Sequence, residues 1–210
     1  MPRTVICVSR AFGAAGEQVG QIAADRLGYR CLDGEILARA AEKGQLDSAT
    51  VADAEQRRSL ARRLLDAMGE NVAVAPEAYA YMPAAEIVIG SKAETVRGLI
   101  RDAIEEAGAE GKAVIVAHAA SHALAGHDGV LRVLVTGSPA VRATRVARET
   151  DADPDASRRQ VSDADRARAS YLSSFYDVDQ ELPTQYDLVL NTDVLTPEQA
   201  AEIVVFAAGA

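Results

Sequence analysis

The chain of 210 residues has no tryptophan, only three phenylalanines and six tyrosines. So few rings argue against an aromatic platform on which the bases of a single strand would stack. Positive charge is also short: Lys and Arg total 22 against 31 Asp and Glu, a net charge of -9. That balance argues against a general binder of nucleic-acid polymers or of an anionic membrane surface. There are two cysteines, Cys7 and Cys31. Both sit in apolar runs and read as small core residues, with no CxxC or Cys/His spacing that would hold a metal. No apolar run approaches the roughly 18 residues of a membrane span. The opening "MPRTVICVSR" lacks a signal-peptide pattern, so a cytoplasmic location is expected. Lysine is confined to Lys43, Lys92 and Lys112, leaving arginine as nearly all the cationic charge. Arginine grips phosphate through two parallel hydrogen bonds, which leaves a small anionic ligand open despite the acidic total. The alternative is a bias of composition, since alanine is abundant as well.

What is present is an alternation. Five apolar runs read as buried strands: "TVICVS" from Thr4, "YRCLD" from Tyr29, "AVIVAH" from Ala113, "LRVLVTG" from Leu131 and "YDLVLN" from Tyr186. Three of them are continuous Val, Ile and Leu without polar alternation, which fits strands covered on both faces of a parallel sheet. Helical spacing follows from Glu17 to Leu27, with Gly28 as a stop, and again from Ser138. Thr196, Pro197 and Gln199 open a last helix with a capping box. The pattern predicts a single doubly wound α/β domain over residues 1–210 with a five-stranded parallel sheet. Two stretches interrupt it. Residues 34–110 read as a helical insertion containing the irregular "VAVAPEAYAYMPAAEI". Residues 150–182 read as a flexible acidic turn followed by a charged helix, suited to a lid.

The stretch "SRAFGAAGEQVG", Ser9 to Gly20, follows the first strand and opens the first helix. Ligands of open parallel sheets bind beyond the carboxyl ends of the strands. A small-residue turn before a helix N-terminus exposes backbone N–H groups to phosphate. Gly13, Ala14, Ala15 and Gly16 provide such a turn. It matches neither GxGxxG nor GxxxxGK followed by Ser or Thr. The glycines follow GxxGxxxG, Gly16 falls where the lysine should be, and Gln18 falls where the metal-binding hydroxyl should be. Three readings stay open here: a modified phosphate loop, a dinucleotide turn with Asp33 as the ribose acid, and a helix-starting turn without ligand.

Four segments, "ICVSRAFGAAGEQVGQIAADRLGYRCLDGEIL", "AVIVAHAA", "DADRARASYLSSFYDVD" and "YDLVLNTDVLTPEQAAEIV", together resemble the cytidylate kinase-like family. This is a divergent branch of the nucleoside monophosphate kinases with the P-loop kinase fold. The resemblance spans most of the chain, apart from about Asp47 to Gly90. Its most specific part is the run of Asp165, Arg168, Ala169, Ser170 and Tyr171 followed by "FY" and "YDLVLNT". The family itself lacks the usual loop lysine. Its loop arginine is Glu17 here, and its arginine after the third strand is His118. A carboxylate at a helix N-terminus favours the helix but repels a polyphosphate.

The resemblance implies phosphoryl transfer from ATP, with Mg2+, to a nucleoside monophosphate such as (d)CMP or a related small acceptor. It implies a nucleotide site at Ser9, Arg10, Gly13, Ala14, Ala15, Gly16 and Gln18. Arg145, Arg148, Asp165 and Arg168 would act on the moving phosphoryl group, and Asp33 and His118 would meet the acceptor. Arg142, Arg158, Arg159 and Arg166 read instead as solvated helix faces or local ion pairs. Asp33 is equally a cap for the following helix. His122 and His127 read as surface or capping residues. Tyr79, Tyr81 and Met82 suit a pocket wall or a subunit contact, which leaves a homo-oligomer open. Three functions compete: a kinase with a modified loop, a non-catalytic nucleotide- or partner-binding protein on the same fold, and a Rossmann-type cofactor binder.

Overall fold

A computed structural model describes residues 3–44, 98–116 and 119–209. The irregular segment at 72–87 and His118 lie outside the described residues. The chain divides into two compact units, residues 34–103 and the remainder.

The larger unit is built on five parallel strands. They are β1 (Val5–Arg10), β2 (Arg30–Leu32), β3 (Ala113–Val116), β4 (Val130–Thr136) and β5 (Leu188–Asn191). Their order is β2-β3-β1-β4-β5, which puts β1 at the centre. Cys7 pairs with Ile115 on one side and Arg132 on the other. Side chains alternate across the sheet. Ile6, Val8, Val114, Val116, Leu131, Val133 and Val135 join one core with Val19, Ala23 and Ala24 of α1 (Gly16–Leu27). Ala200, Ala201 and Val204 of the C-terminal helix (Pro197–Ala207) complete it. The alanines let these two helices lie side by side on the sheet. Gly20 permits the same closeness, since a Cβ there would stand 2.6 Å from Val116 Cγ2. Cys7 faces the other side, where burial pushes its thiol up to about 12 and keeps it inert.

The helix ends follow from their residues. α1 stops at Gly28, whose φ of 65° sets a left-handed cap, and Tyr29 N–H reaches Ala24 O at 2.9 Å. α2 (Gly34–Lys43) lies in the smaller unit and carries a Glu35–Arg39 pair at 3.0 Å. Residues 98–110 form α3, and α4 spans Ala120–Ala123. α5 (Pro139–Thr150) is capped by Ser138, and α6 (Pro154–Tyr176) by Asp153. Proline in the first turn suits both starts. The acidic stretch read as a flexible turn is therefore short: it ends at Asp153, and "PDASRR" is already helix. α5 and α6 pack together through Ala143, Val146 and Val161. α7 is the C-terminal helix, closed by the Thr196–Gln199 capping box. No described helix is long and apolar enough to cross a membrane.

Candidate functional site

β1 and β4 run side by side to the carboxyl edge, and Ala11 N–H still bonds Val135 O at 3.0 Å. There the chain turns. Gly13 has φ 75°, Ala14 N–H closes onto Ala11 O at 3.0 Å, and Ala15 has φ 60° and ψ 26°. Left-handed backbone is uncommon for alanine, and such turns form concave nests of N–H groups. A Cβ on Gly13 would lie 2.8 Å from Val146 Cγ2 and 3.0 Å from Arg142 O, so only glycine fits there. Ala15 is the N-cap of α1 and offers no side chain to cap it. The ladder begins with Val19 N–H to Ala15 O. The amides of Gly16, Glu17 and Gln18 thus have no carbonyl one turn back, and the helix dipole adds partial positive charge.

The carbonyl side of the turn is held from beneath. Arg142 is 4% exposed and uses its whole fork. Nε donates to Gly137 O at 2.9 Å, and Nη1 to Phe12 O at 3.0 Å. Nη1 and Nη2 also make a bidentate pair with Asp165, at 2.9 and 2.7 Å. Arg145 donates to Gly13 O at 2.6 Å and to Thr192 O at 3.0 Å. The buried Thr192 hydroxyl lies 3.1 Å from Ala14 O and 3.1 Å from Thr136 O. At the mouth, Arg10 Nε meets Glu17 Oε1 at 2.6 Å.

A second polar cluster forms on the other face of β1. Arg168 forks onto Glu181, with Nε to Oε2 at 2.8 Å and Nη2 to Oε1 at 2.5 Å. Tyr186 donates to Glu181 Oε1, and its hydroxyl stands 3.4 Å from His122 Nε2. The His122 ring packs 5.6 Å from Tyr176 and edge-on at 5.9 Å from Tyr186. Burial opposes ionisation of Glu181, but Arg168 outweighs it and holds that carboxyl below its usual range. Burial pushes the Tyr186 hydroxyl up to about 12, helped by Glu181. Burial likewise lowers the His122 pKa, with Glu181 pulling the other way.

The predicted residues therefore separate. Gly13, Ala14, Ala15, Gly16 and Gln18 form the turn and first helical turn, and Arg10 closes onto Glu17. Arg145 and Asp165 reach this place, but as supports: one binds loop carbonyls and the other binds Arg142. Ser9 is buried and bonds Ser121 Oγ at 3.0 Å, on the face of the second cluster rather than in the turn. Arg168 belongs to that cluster. Arg148 is exposed on the last turn of α5. Asp33 is half-buried just beyond β2, with β3 between β2 and β1. Arg158 and Arg166 form local pairs with Asp155 and Asp163. Arg142 differs from the expected exposed face or local pair: it is buried, and beside nearby Gly137 it reaches Phe12 and Asp165, far away in sequence. Thr192, Glu181 and Tyr186 were not singled out as site residues. Tyr186 and Thr192 had one signal, membership of the segment "YDLVLNT", and Glu181 lies in neither tail segment. Among the described residues no group of three His, Cys, Asp or Glu side chains is arranged to hold a metal ion.

Comparison with known proteins agrees with this architecture. The model of the cytidylate kinase-like family matches residues 5–194. No curated protein matches significantly. Among solved structures, an uncharacterized protein from Eubacterium ventriosum is 15% identical, with 98% of each chain covered and a TM-score of 0.64. Shikimate kinase from Bacteroides thetaiotaomicron is 14% identical, with 99% of each chain covered and a TM-score of 0.52. TT1252 from Thermus thermophilus is 20% identical over 99% of this chain and 96% of that one, with a TM-score of 0.50. At these identities the likeness shows the fold, a five-stranded parallel sheet of the P-loop kinase kind.

Proposed function

Because the chain belongs to the cytidylate kinase-like family, we propose that it is a phosphotransferase of the nucleoside monophosphate kinase type. It moves the terminal phosphoryl group of ATP to (d)CMP or a related small acceptor. The observation that carries this reading is the uncapped N-terminus of α1 behind a left-handed turn whose carbonyls are tied down. Such an edge offers N–H groups to the phosphates of a nucleotide without any lysine. The bond from the leaving oxygen to phosphorus breaks, an unprotonated oxygen of the acceptor's phosphate takes the phosphoryl group, and ADP departs with the bonding electron pair. Catalysis of this kind is mostly alignment and stabilisation of charge.

In this reading Gly13, Ala14, Ala15, Gly16 and Gln18 hold the nucleotide, and Arg10 joins them when it leaves Glu17. Mg2+ normally keeps several waters and takes one or two protein oxygens beside the phosphates. The side-chain carbonyl oxygen of Gln18 has the donor chemistry to take such a place, and the ion would supply charge neutralisation. Asp33 and His118 meet the acceptor. Residues 34–110 serve as the acceptor-side insertion and residues 150–182 as the lid, whose closure carries Arg168 to the phosphates to join Arg148 of α5. The partner is a small nucleotide rather than a polymer or a membrane, and the protein works in the cytoplasm.

The Arg10–Glu17 pair favours a second reading, nucleotide binding without turnover, because it neutralises the charge nearest the loop. Incubation with ATP, Mg2+ and CMP or UMP, followed by ADP release, separates the two. Turnover that disappears in Arg168→Ala supports the kinase. Thermal stabilisation by ATP without ADP release supports the binder. No effect of ATP on either measurement refutes both.

A further inference from the structure

We propose that Arg142, Arg145 and Thr192 act as positioning residues that aim the amides of the glycine turn by holding its carbonyls. The inference rests on the proposed nucleotide site. All peptide bonds here are trans. In a trans peptide the C=O of one residue and the N–H of the next point in opposite directions. Three consecutive carbonyls are anchored: Phe12 O by Arg142, Gly13 O by Arg145, and Ala14 O by the Thr192 hydroxyl, whose one proton it shares with Thr136 O. Anchoring them toward α5 and the end of β5 turns the N–H groups of Gly13, Ala14 and Ala15 the other way. Ala14 N–H is taken by Ala11 O inside the turn. Those of Gly13 and Ala15 bond no carbonyl among the described residues. They continue the row begun by the first-turn amides of α1. Arg145, expected at the moving phosphoryl group, therefore works one step behind it, through the backbone.

The geometry also links the turn to α6. Arg142 reaches Phe12 O and Asp165 with the same Nη1, so the loop carbonyl and α6 share one guanidinium. Asp165 fixes the plane of that fork, and the fork fixes the first peptide of the turn.

Thr192→Val tests this, because valine keeps the shape and removes the hydroxyl. The probes are inorganic pyrophosphate and Mg·ATP in titration calorimetry, with 15N-labelled protein for amide signals. Losing one buried hydrogen bond that orients the site is expected to weaken both probes about tenfold, while Thr192→Ser stays within about twofold of the parent. The amide signals of Gly13, Ala15 and Gly16 are expected to shift in Thr192→Val and to return in Thr192→Ser. Thr196→Ala, which removes the cap of α7, provides a destabilised control expected to bind like the parent. Unchanged affinity in Thr192→Val, or equal loss in Thr196→Ala, overturns the proposal. If the parent protein binds neither probe, the nucleotide site itself fails. The amide signals then decide alone: movement confined to the turn sustains the carbonyl clamp, and unmoved signals refute it.

Discussion

Replacing Glu17 by glutamine is expected to tighten anion binding and weaken the fold at once. The Glu17 carboxylate sits on the first turn of α1, 2.6 Å from Arg10 Nε, with Glu17 53% exposed and Arg10 only 14%. Two unit charges about 6 Å apart interact by roughly 1 kcal/mol in a half-solvated setting with effective dielectric between about 40 and 80. Removing the repulsive carboxylate and releasing Arg10 each contribute on this scale. Together they come to about 2 kcal/mol, so binding of pyrophosphate or ATP is expected to improve about thirtyfold. Stability moves the other way. A partly exposed ion pair is worth about 0–1 kcal/mol, and an acid at a helix N-terminus about 0.3–1 kcal/mol. A loss near 1 kcal/mol lowers the melting temperature by about 2–4 °C in a chain of this size. Titration calorimetry and a melting curve on the same variant measure both quantities. In about 1 M salt, where the screening length is about 3 Å, most of the affinity gain is expected to vanish. Unchanged or weaker anion binding in Glu17→Gln at low salt would refute the reasoning.

Two other outcomes follow from buried groups. Arg142→Met strands the Phe12 and Gly137 carbonyls and leaves Asp165 without its fork, so urea unfolding is expected to show a loss of about 3 kcal/mol. Burial lowers the pKa of His122 from 6.5, so between the lowered value and 6.5 the unfolded chain binds a proton that the folded chain refuses. Stability therefore rises with pH in that window and falls on acidification through about 6.5. His122→Gln is expected to flatten this part of a melting-temperature profile. Glu181, held below its ordinary value of 4.5, affects only more acidic conditions, where its stabilising charge is lost.

The strands β1, β3 and β4 were legible as short runs of large aliphatic residues that are largely buried, whereas β2 and β5 are only partly covered. Strand ends were less legible. The run from Tyr186 enters the sheet only at Leu188, because Tyr186 turns to Glu181 and Asp187 binds Arg132 through N–H and guanidinium. The run from Tyr29 narrows to Arg30–Leu32, with Asp33 at a bend. Helix starts at Ser138 and Thr196 were visible because caps act over three residues. The turn itself was visible for the same reason: small residues in one stretch. What fixes the turn was not. Arg142 and Thr192 reach it from 130 and 178 positions away, and no local spacing encodes that meeting. Arg142 and Arg145 lie three apart on α5, a stripe that shows they share a face but not which groups that face touches.

The sheet order carries a consequence for biosynthesis. β1 emerges early, yet its neighbours are β3 and β4, so it waits for more than a hundred further residues before it is paired on both sides. Contacts this remote slow folding and leave strand edges uncovered meanwhile. The turn after β1 waits longer still, since its Ala14 anchor comes from residue 192. On a ribosome, the anion-facing edge is thus among the last parts to be completed, and a nascent chain halted before β5 carries the turn without its final tether.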